Sequence, residues 1–409
     1  MKFLASVKSS LQPSAGEKRL IESEARTIIR KLSSIKGAKA VLGGSGAKGT
    51  WIGGAVDVDI FVCYEYRKFS GKSGKLSEML APELKKRFRG VKRLHGSRDY
   101  FQIRRRGVTF EIVPILAIRK ASEAKNITDV SPLHAKWVNR KVKRPDEVRL
   151  IKAFCKAQGI YGAESHIKGF SGYVCEILAY RYGSFIGLLK AASKWKAPVV
   201  IDVAHYYKSP MEVSRSLNRS KLSPLIIIDP VQKERNAAAA LSEESFKLFI
   251  SCAKKFLRNP SAKFFERKEP SAEEIKAKKD TVAVSVVPLK GKEDISATKV
   301  LKAMEHLKAG LEKNDFFVKS SDWFWNRKRT LIWFTLESEV IEKEKKVAGP
   351  PAGNKFHEQR FRKAHKRTFK RNGRLYAVVM RKFTDSKKLL RRLLKDSYVR
   401  ERVSSVEVL

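Results

Sequence analysis

Acidic residues are scarce in this chain of 409 residues. Forty-two Asp and Glu stand against 87 Lys and Arg, leaving a formal charge of +45. A field of that size and sign attracts a polyanion, so RNA or DNA is the expected partner. Cysteine is sparse too. Cys63, Cys155, Cys175 and Cys252 are scattered with no Cys-x-x-Cys pair, which supports neither a zinc ribbon nor a disulfide scaffold; reduced, buried thiols are expected. No run of about eighteen uninterrupted apolar residues occurs, and no long basic amphipathic stretch stands out. The opening Met1-Lys2-Phe3-Leu4-Ala5-Ser6-Val7-Lys8 lacks the apolar core of a signal peptide. These absences point away from a membrane and towards a soluble, cytoplasmic protein. No internal repeat is evident. The length exceeds one ordinary core and suggests two to four domains.

What is present centres on Gly43-Gly44-Ser45-Gly46-Ala47-Lys48-Gly49-Thr50-Trp51, followed closely by Asp57-Val58-Asp59-Ile60-Phe61-Val62. A glycine-rich turn lets backbone N–H groups and a hydroxyl approach a phosphate. On the strand that follows, Asp57 and Asp59 share one face, while Val56, Val58 and Ile60 point to the other. Two carboxylates on one face repel unless a cation sits between them, and Mg²⁺ favours carboxylate oxygens together with substrate phosphates. In Val108-Thr109-Phe110-Glu111-Ile112-Val113 the same alternation sets Glu111 opposite Phe110 and Ile112, which makes it the candidate third acid.

Helical spacing is expected from Gly16 to Leu32, Leu76 to Phe88, Ser171 to Tyr182, Phe185 to Lys194, Ser242 to Leu257 and Thr298 to Leu311, with strands at Ala38–Leu42, Tyr100–Arg105, Thr281–Pro288, Asp315–Lys319, Thr330–Leu336 and Arg374–Phe383. Asp146 after Pro145 is read as a helix cap, with Lys152 at the edge of the stripe formed by Val148, Ile151, Phe154 and Cys155. The run Ala237-Ala238-Ala239-Ala240 is a good helix former. Between two late strands, Trp323-Phe324-Trp325-Asn326-Arg327-Lys328-Arg329 interleaves rings with cations, a pattern that suits either base stacking or the core of a small sheet. Gly349-Pro350-Pro351-Ala352-Gly353 reads as a rigid, exposed turn, and the basic run from Lys355 to Arg374 as a solvated face or a phosphate contact.

Gly-Ser followed by Asp-x-Asp and a later strand acid resembles the nucleotidyltransferase superfamily that includes DNA polymerase β. Within it, Asp146-Glu147-Val148-Arg149-Leu150-Ile151-Lys152, Gly159-Ile160-Tyr161-Gly162-Ala163-Glu164 and Gly169-Phe170-Ser171-Gly172-Tyr173 are similar to the archaeal, class I CCA-adding tRNA nucleotidyltransferases. The likeness continues through Ile228-Asp229-Pro230-Val231 and Lys233-Glu234-Arg235-Asn236-Ala237-Ala238. It implies an α+β multidomain fold: a polymerase β-like head of mixed sheet and helices at 1–140, a helical neck at 141–262, an α/β body at 263–292 and 373–409, and an RNA-binding tail at 293–372.

The resemblance implies untemplated addition of C, C and A from CTP and ATP to the tRNA 3′ end, with two Mg²⁺ ions. Asp57 and Asp59 would hold the triphosphate metal, and Glu111 would join them at the metal that activates the 3′-hydroxyl. Family members often carry Asp at the third position and sometimes Glu at the first. Ser45 and the N–H groups around Gly44 would cap the β- and γ-phosphates. Lys48 stands where the family usually has Arg, so a bidentate clamp becomes a point charge. By the same resemblance His134 and Lys152 would face the triphosphate, Tyr161 the ribose and phosphates, and Arg235 the base edge. Family members extend beyond the position matching Leu409, so the last body helices and any dimer contact they supply are expected to be missing; a homodimer stays open. A terminal transferase of other specificity, such as a poly(A) or uridylyl transferase, is the rival enzyme reading, and a catalytically dead tRNA-binding module the rival from another class.

Overall fold

The computed structural model describes residues 2–54, 57–267, 269–291, 293–326 and 329–409, so that Val56, Arg327 and Lys328 of the sequence reading lie outside the described residues. Two compact units are present, Met1–Lys268 and Glu269–Leu409.

In the first unit, strands β1 (Ala38–Leu42), β2 (Asp57–Glu65), β3 (Lys92–Leu94), β4 (Tyr100–Arg105) and β5 (Val108–Ala117) form a mixed sheet of order β1-β2-β5-β4-β3. Only the central pair, β2 and β5, is parallel. Alternation in β2 and β5 buries Val58, Ile60, Phe110 and Ile112 against the helices Ala15–Leu32 and Leu76–Arg87, which contribute Ile21, Ile28, Leu32, Leu80 and Leu84. The first of these helices begins in a capping box between Ser14 and Glu17 that satisfies two N–H groups at once.

A second core in this unit gathers the helices Pro145–Ala157, Gly172–Tyr182, Phe185–Ala192 and Glu243–Arg258 around Phe154. Ser171, Ser184 and Ser242 cap the last three. A small sheet of β6 (Val199–Asp202), β7 (Leu225–Asp229) and β8 (Gln232–Asn236) lies against it. The helix Phe3–Leu11 packs on this core, its Phe3 ring 6.3 Å from that of Phe256.

Two local expectations fail here. Asp146 does not cap its helix: Pro145 takes the first helical position, where its missing N–H is harmless, and Asp146 pairs instead with Lys8 at 2.6 Å. The alanine run forms a turn and not a helix. Asn236 Oδ1 accepts the N–H groups of Ile227 and Ala238, both at 2.9 Å, which pins the chain beside β7. Four residues are also too few to nucleate a helix against such bonds.

The second unit carries β9 (Thr281–Pro288), β10 (Val318–Trp325), β11 (Thr330–Leu336), β12 (Glu344–Pro351), β13 (Thr368–Arg371), β14 (Arg374–Met380) and β15 (Val403–Val408). An antiparallel sheet of order β10-β11-β9-β15 buries Val282, Val284, Ile332 and Phe334 against the helices Glu293–Lys313 and Ser386–Leu393. The strand expected at Asp315 begins later, at Val318, because Asp315 adopts a φ of 70° that no strand accommodates. Trp323, Phe324 and Trp325 consequently lie within β10, not between strands; Phe324 is buried and the two Trp rings rest against the core. A second sheet has the order β12-β14-β13. Gly349, Pro350 and Pro351 belong to its edge strand β12, not to an exposed turn. A register shift between Ala348 and Pro351 accommodates the prolines, and the Phe361 ring fills the space a Gly349 side chain would need. The boundary expected at 372/373 falls in the β13–β14 hairpin, where Asn372 and Gly373 both have positive φ.

Cys155, Cys175 and Cys252 are buried thiols, and Cys63 is half-buried. Among the described residues no helix is long and apolar enough to cross a membrane.

Candidate active site

The glycine-rich segment leaves β1 and makes one short helical turn, Gly44–Lys48, closed by Gly49 at φ 62°. Its start is fixed by a hydrogen bond from the Gly43 N–H to the carbonyl of Asp59 at 2.8 Å. Gly44 has a φ of 53°, and a Cβ there would fall 1.7 Å from Asp59 Oδ2. Only glycine therefore lets the segment lie on the Asp59 carboxylate. The Thr50 N–H donates back to the Ser45 carbonyl at 3.2 Å and finishes the turn.

Parallel register sets Asp59 beside Glu111 and Asp57 beside Thr109, so the three acids share one face of two adjacent strands. Glu111 Oε1 accepts from Gln102 Nε2 at 2.9 Å. Burial pushes the Asp59 carboxyl above its usual range; the Lys48 charge opposes that and the Asp57 charge adds to it. The expected convergence of the trio on a common point is not formed: among the described residues no group of three or more His, Cys, Asp or Glu is arranged to hold a metal ion. The donor set nevertheless suits Mg²⁺, being three carboxylates on neighbouring strands with Asp59 half-buried at a cost that a cation would offset.

The second wall comes from the helices around Phe154. Lys152 is buried. Its ammonium donates to the Thr50 carbonyl and hydroxyl, both at 3.1 Å, and to Glu176 Oε1 at 3.3 Å. Desolvation lowers its pKa, and the Glu176 charge works against that. Glu176 Oε2 accepts from Lys48 at 2.6 Å. Lys48 also lies 5.8 Å from the centre of the Tyr173 ring. Tyr161 sits against Gly172, where a Cβ would be 3.1 Å from its hydroxyl and 3.6 Å from Lys152 Nζ; burial pushes the Tyr161 hydroxyl strongly up in pKa.

His134 stacks on Tyr173 with ring centres 4.0 Å apart. Asp229, fully buried, gathers the rest: His134 Nε2 lies 2.9 Å from its Oδ2, Arg235 Nη1 donates to the same oxygen at 2.6 Å, and the Tyr173 hydroxyl donates to Oδ1 at 3.1 Å. Burial alone would raise the Asp229 pKa, but the hydrogen bond and charge of His134, with the charge of Arg235, hold it below the usual value. Gly44, Ser45, Lys48, Asp57, Asp59 and Glu111 thus line one side. His134, Lys152, Tyr161 and Arg235 line the other, and Glu176 and Tyr173 join the two through Lys48. Sequence reasoning gave no role to Glu176, Asp229, Tyr173 or Thr50. A signal existed for the first two: Glu176 is a lone acid within Val174-Cys175-Glu176-Ile177-Leu178, and Asp229 ends the apolar strand Leu225–Asp229.

Three family models match in turn: a nucleotidyltransferase domain over residues 22–134, the second domain of tRNA nucleotidyltransferase over 146–266, and the C-terminal domain of CCA-adding enzyme over 282–404. A CCA-adding enzyme of Nanoarchaeum equitans is 36% identical over 346 residues, covering 84% of each chain. One from Sulfurisphaera tokodaii is 34% identical over 379 residues, covering 91% of this chain and 87% of that one. Among solved structures, a cytoplasmic RNA terminal U-transferase superposes with a TM-score of 0.50 at 15% identity, over 66% of this chain and 98% of that one, a likeness of fold alone. With relatives this similar across both units, the chain belongs to the CCA-adding enzymes of the archaeal, class I type, nucleotidyltransferases of the polymerase β-like superfamily.

Proposed function

We propose that this nucleotidyltransferase builds or repairs the tRNA 3′ terminus by adding C, C and A without a template, taking CTP and ATP and releasing pyrophosphate. The observation that carries the reading is the register of Asp59 with Glu111 beneath Gly44, which supports a carboxylate face at the glycine-rich bend. Asp57, Asp59 and Glu111 would hold two Mg²⁺ ions. Bound there, the ions would supply a more acidic 3′-hydroxyl and neutralise charge developing on the leaving pyrophosphate.

The chain's own groups orient the substrates. Ser45 and the backbone around Gly44 meet the β- and γ-phosphates, with Lys48 adding a point charge and His134 approaching from the opposite wall. Tyr161 lies against the ribose and phosphates, and Lys152, whose ammonium donates to Thr50, faces the triphosphate. Arg235, braced by Asp229, presents its remaining N–H groups to the edge of the base. Residues 1–140 act as the head and 141–262 as the neck that selects the nucleotide. The small sheet β12-β14-β13 with the helix Lys355–Ala364, which buries none of its residues, grips tRNA. The net charge of +45 supports an RNA partner, and four free cysteines accord with a reducing cytoplasm.

The test incubates the protein and Mg²⁺ with tRNA trimmed of its last three nucleotides and each radiolabelled nucleotide in turn. Incorporation of C, and of A after C, is expected. Incorporation of only A or only U would replace this reading with the poly(A) or uridylyl transferase alternative, and tRNA retention without any incorporation would leave a binding module.

A further inference from the structure

Among the described residues, β1 pairs with β2 only from Leu42 opposite Ile60 onward, so Asp57, at the start of β2, has a strand partner in β5 alone, opposite Thr109. Its position therefore depends on the chain that leads into it. That lead-in, Gly49 to Gly54, is neither helix nor strand, and its backbone groups find partners elsewhere. Arg149 of the helix Pro145–Ala157 donates to the carbonyls of Gly49 and Trp51, at 3.0 and 2.9 Å. The Gly53 N–H donates to the Leu11 carbonyl at 3.0 Å, and the Gly54 N–H to Glu17 Oε1 at 2.7 Å.

These last two acceptors belong to one corner of the chain. Leu11 ends the helix Phe3–Leu11, and Glu17 stands in the first turn of the helix Ala15–Leu32. A Cβ on Gly53 would lie 3.2 Å from the Gln12 carbonyl oxygen and 3.3 Å from the Pro13 Cα, so this glycine rests directly on the backbone of the corner. The two arms of the corner enter different cores. Phe3, Leu4, Val7 and Leu11 pack around the Phe154 core, and Lys8 pairs with Asp146 at 2.6 Å and with Glu147 at 2.5 Å. Ile21, Ile28 and Leu32 pack against the five-stranded sheet. The Glu17 bond to Gly54 is not part of the helix cap, because Oε2 already accepts the Ser14 N–H at 2.8 Å. Oε1 reaches instead to a residue 37 positions away.

We propose that Glu17 and Lys8 are positioning residues for Asp57: the corner from Phe3 to Glu17 is a strap, fastened through Lys8 to the helix Pro145–Ala157 and holding the lead-in to β2 through Glu17. Both residues act through the backbone of Gly53 and Gly54, and the first of the three acids is set by the helical core as well as by its own sheet. The inference rests on the nucleotidyl-transfer reading above.

The experiment compares Glu17→Ala, Lys8→Met, their combination and Ser14→Ala in the full chain. Amide hydrogen exchange over the stretch 49–57 reports the lead-in without reference to activity, and CMP incorporation into trimmed tRNA at saturating CTP reports the placement of Asp57. Ser14→Ala removes the capping hydroxyl and leaves both Glu17 bonds; it is expected to lose a few degrees in Tm while exchange and rate stay within about twofold of the unaltered protein. Glu17→Ala and Lys8→Met are each expected to speed exchange in 49–57 about tenfold. Each should also slow incorporation about tenfold, since a misplacement of about 1 Å costs on the order of 100-fold and the lead-in is loosened by less. The double variant should be no more than about threefold slower than the worse single one, because a strap released at either end is already slack. Lys8→Met carries the same expectation from a different helix, and decides the matter alone if Glu17→Ala does not fold.

Unchanged exchange over 49–57 in Lys8→Met, an unchanged rate in either single variant, equal losses in Ser14→Ala, or a double variant whose loss is the product of the single losses would each overturn the proposal. Failure of the unaltered protein to incorporate any nucleotide is a different result, and it would remove the nucleotidyl-transfer reading itself.

Discussion

Replacing Gly44 by alanine separates backbone strain from damage to the carboxylate face. Gly44 and Gly49 have nearly the same backbone conformation, φ 53° and 62°, so alanine at either position incurs about 1–2 kcal/mol of left-handed strain. Their surroundings differ. Nothing lies within 4 Å of a Cβ at Gly49, whereas at Gly44 it would fall 1.7 Å from Asp59 Oδ2 and 2.7 Å from Cγ. Contacts of that kind do not go below 3.0 Å, so the Asp59 oxygen must retreat by more than ~1 Å. The carboxylate is the far end of a side chain and can turn aside, so the fold survives. A reacting group displaced by about 1 Å costs on the order of 100-fold in rate. Both variants are expected to lose a few degrees in Tm. Gly44→Ala should incorporate CMP about 100-fold more slowly, and Gly49→Ala should stay within about threefold of the unaltered protein. Thermal melts followed by single-turnover incorporation measure both. Equal loss of activity in the two variants would refute the argument that Gly44 is needed for the placement of Asp59.

Asp59→Asn is expected to abolish nucleotide addition while tRNA retention on a filter changes less than about twofold, because the basic surface and not the acids carries RNA binding; equal activity would refute the metal assignment. That retention should fall by about 1,000-fold or more between 50 and 200 mM salt, the signature of several phosphate contacts, and a salt-independent affinity would contradict it. Phe154→Ala, at the centre of rings from Phe185, Phe249, Phe256 and Phe264 lying 5.4 to 6.1 Å away, should destabilise the first unit by about 3–5 kcal/mol in denaturant titrations. A loss under about 1 kcal/mol would show that this core repacks freely. The Asp229 carboxyl is held below its usual range, so its ionisation stabilises the fold above the unfolded value near 3.8, and that contribution disappears as pH falls through the lower folded value. Asp229→Asn should therefore lower Tm at pH 7 but converge with the unaltered protein in acid; a constant difference across pH would place the effect elsewhere.

The alternation in Asp57-Val58-Asp59-Ile60 and in Phe110-Glu111-Ile112 was enough to assign faces, because side chains on a strand alternate wherever that strand is placed. Gly44 and Gly49 were legible for a similar reason: a glycine cluster before an acidic strand announces a bend that other residues cannot make. Shorter-range chemistry was less safe. Propensity marked Ala237–Ala240 as helix, yet the side chain of Asn236 holds the run in a turn, and tertiary bonds of that strength outweigh a few tenths of a kcal/mol per residue.

The residues of the second wall were named by motif resemblance, but the contacts that assemble it were beyond any local reading. Lys152 looks like a surface lysine until Glu176, 24 residues on, and Thr50, 102 residues back, are brought to its ammonium. His134 reaches Asp229 across 95 residues. A sequence fixes which side chains carry charge and which face of their own element they occupy. Which charges meet is decided by how the elements pack, since a buried ion is tolerable only where folding supplies its counter-ion.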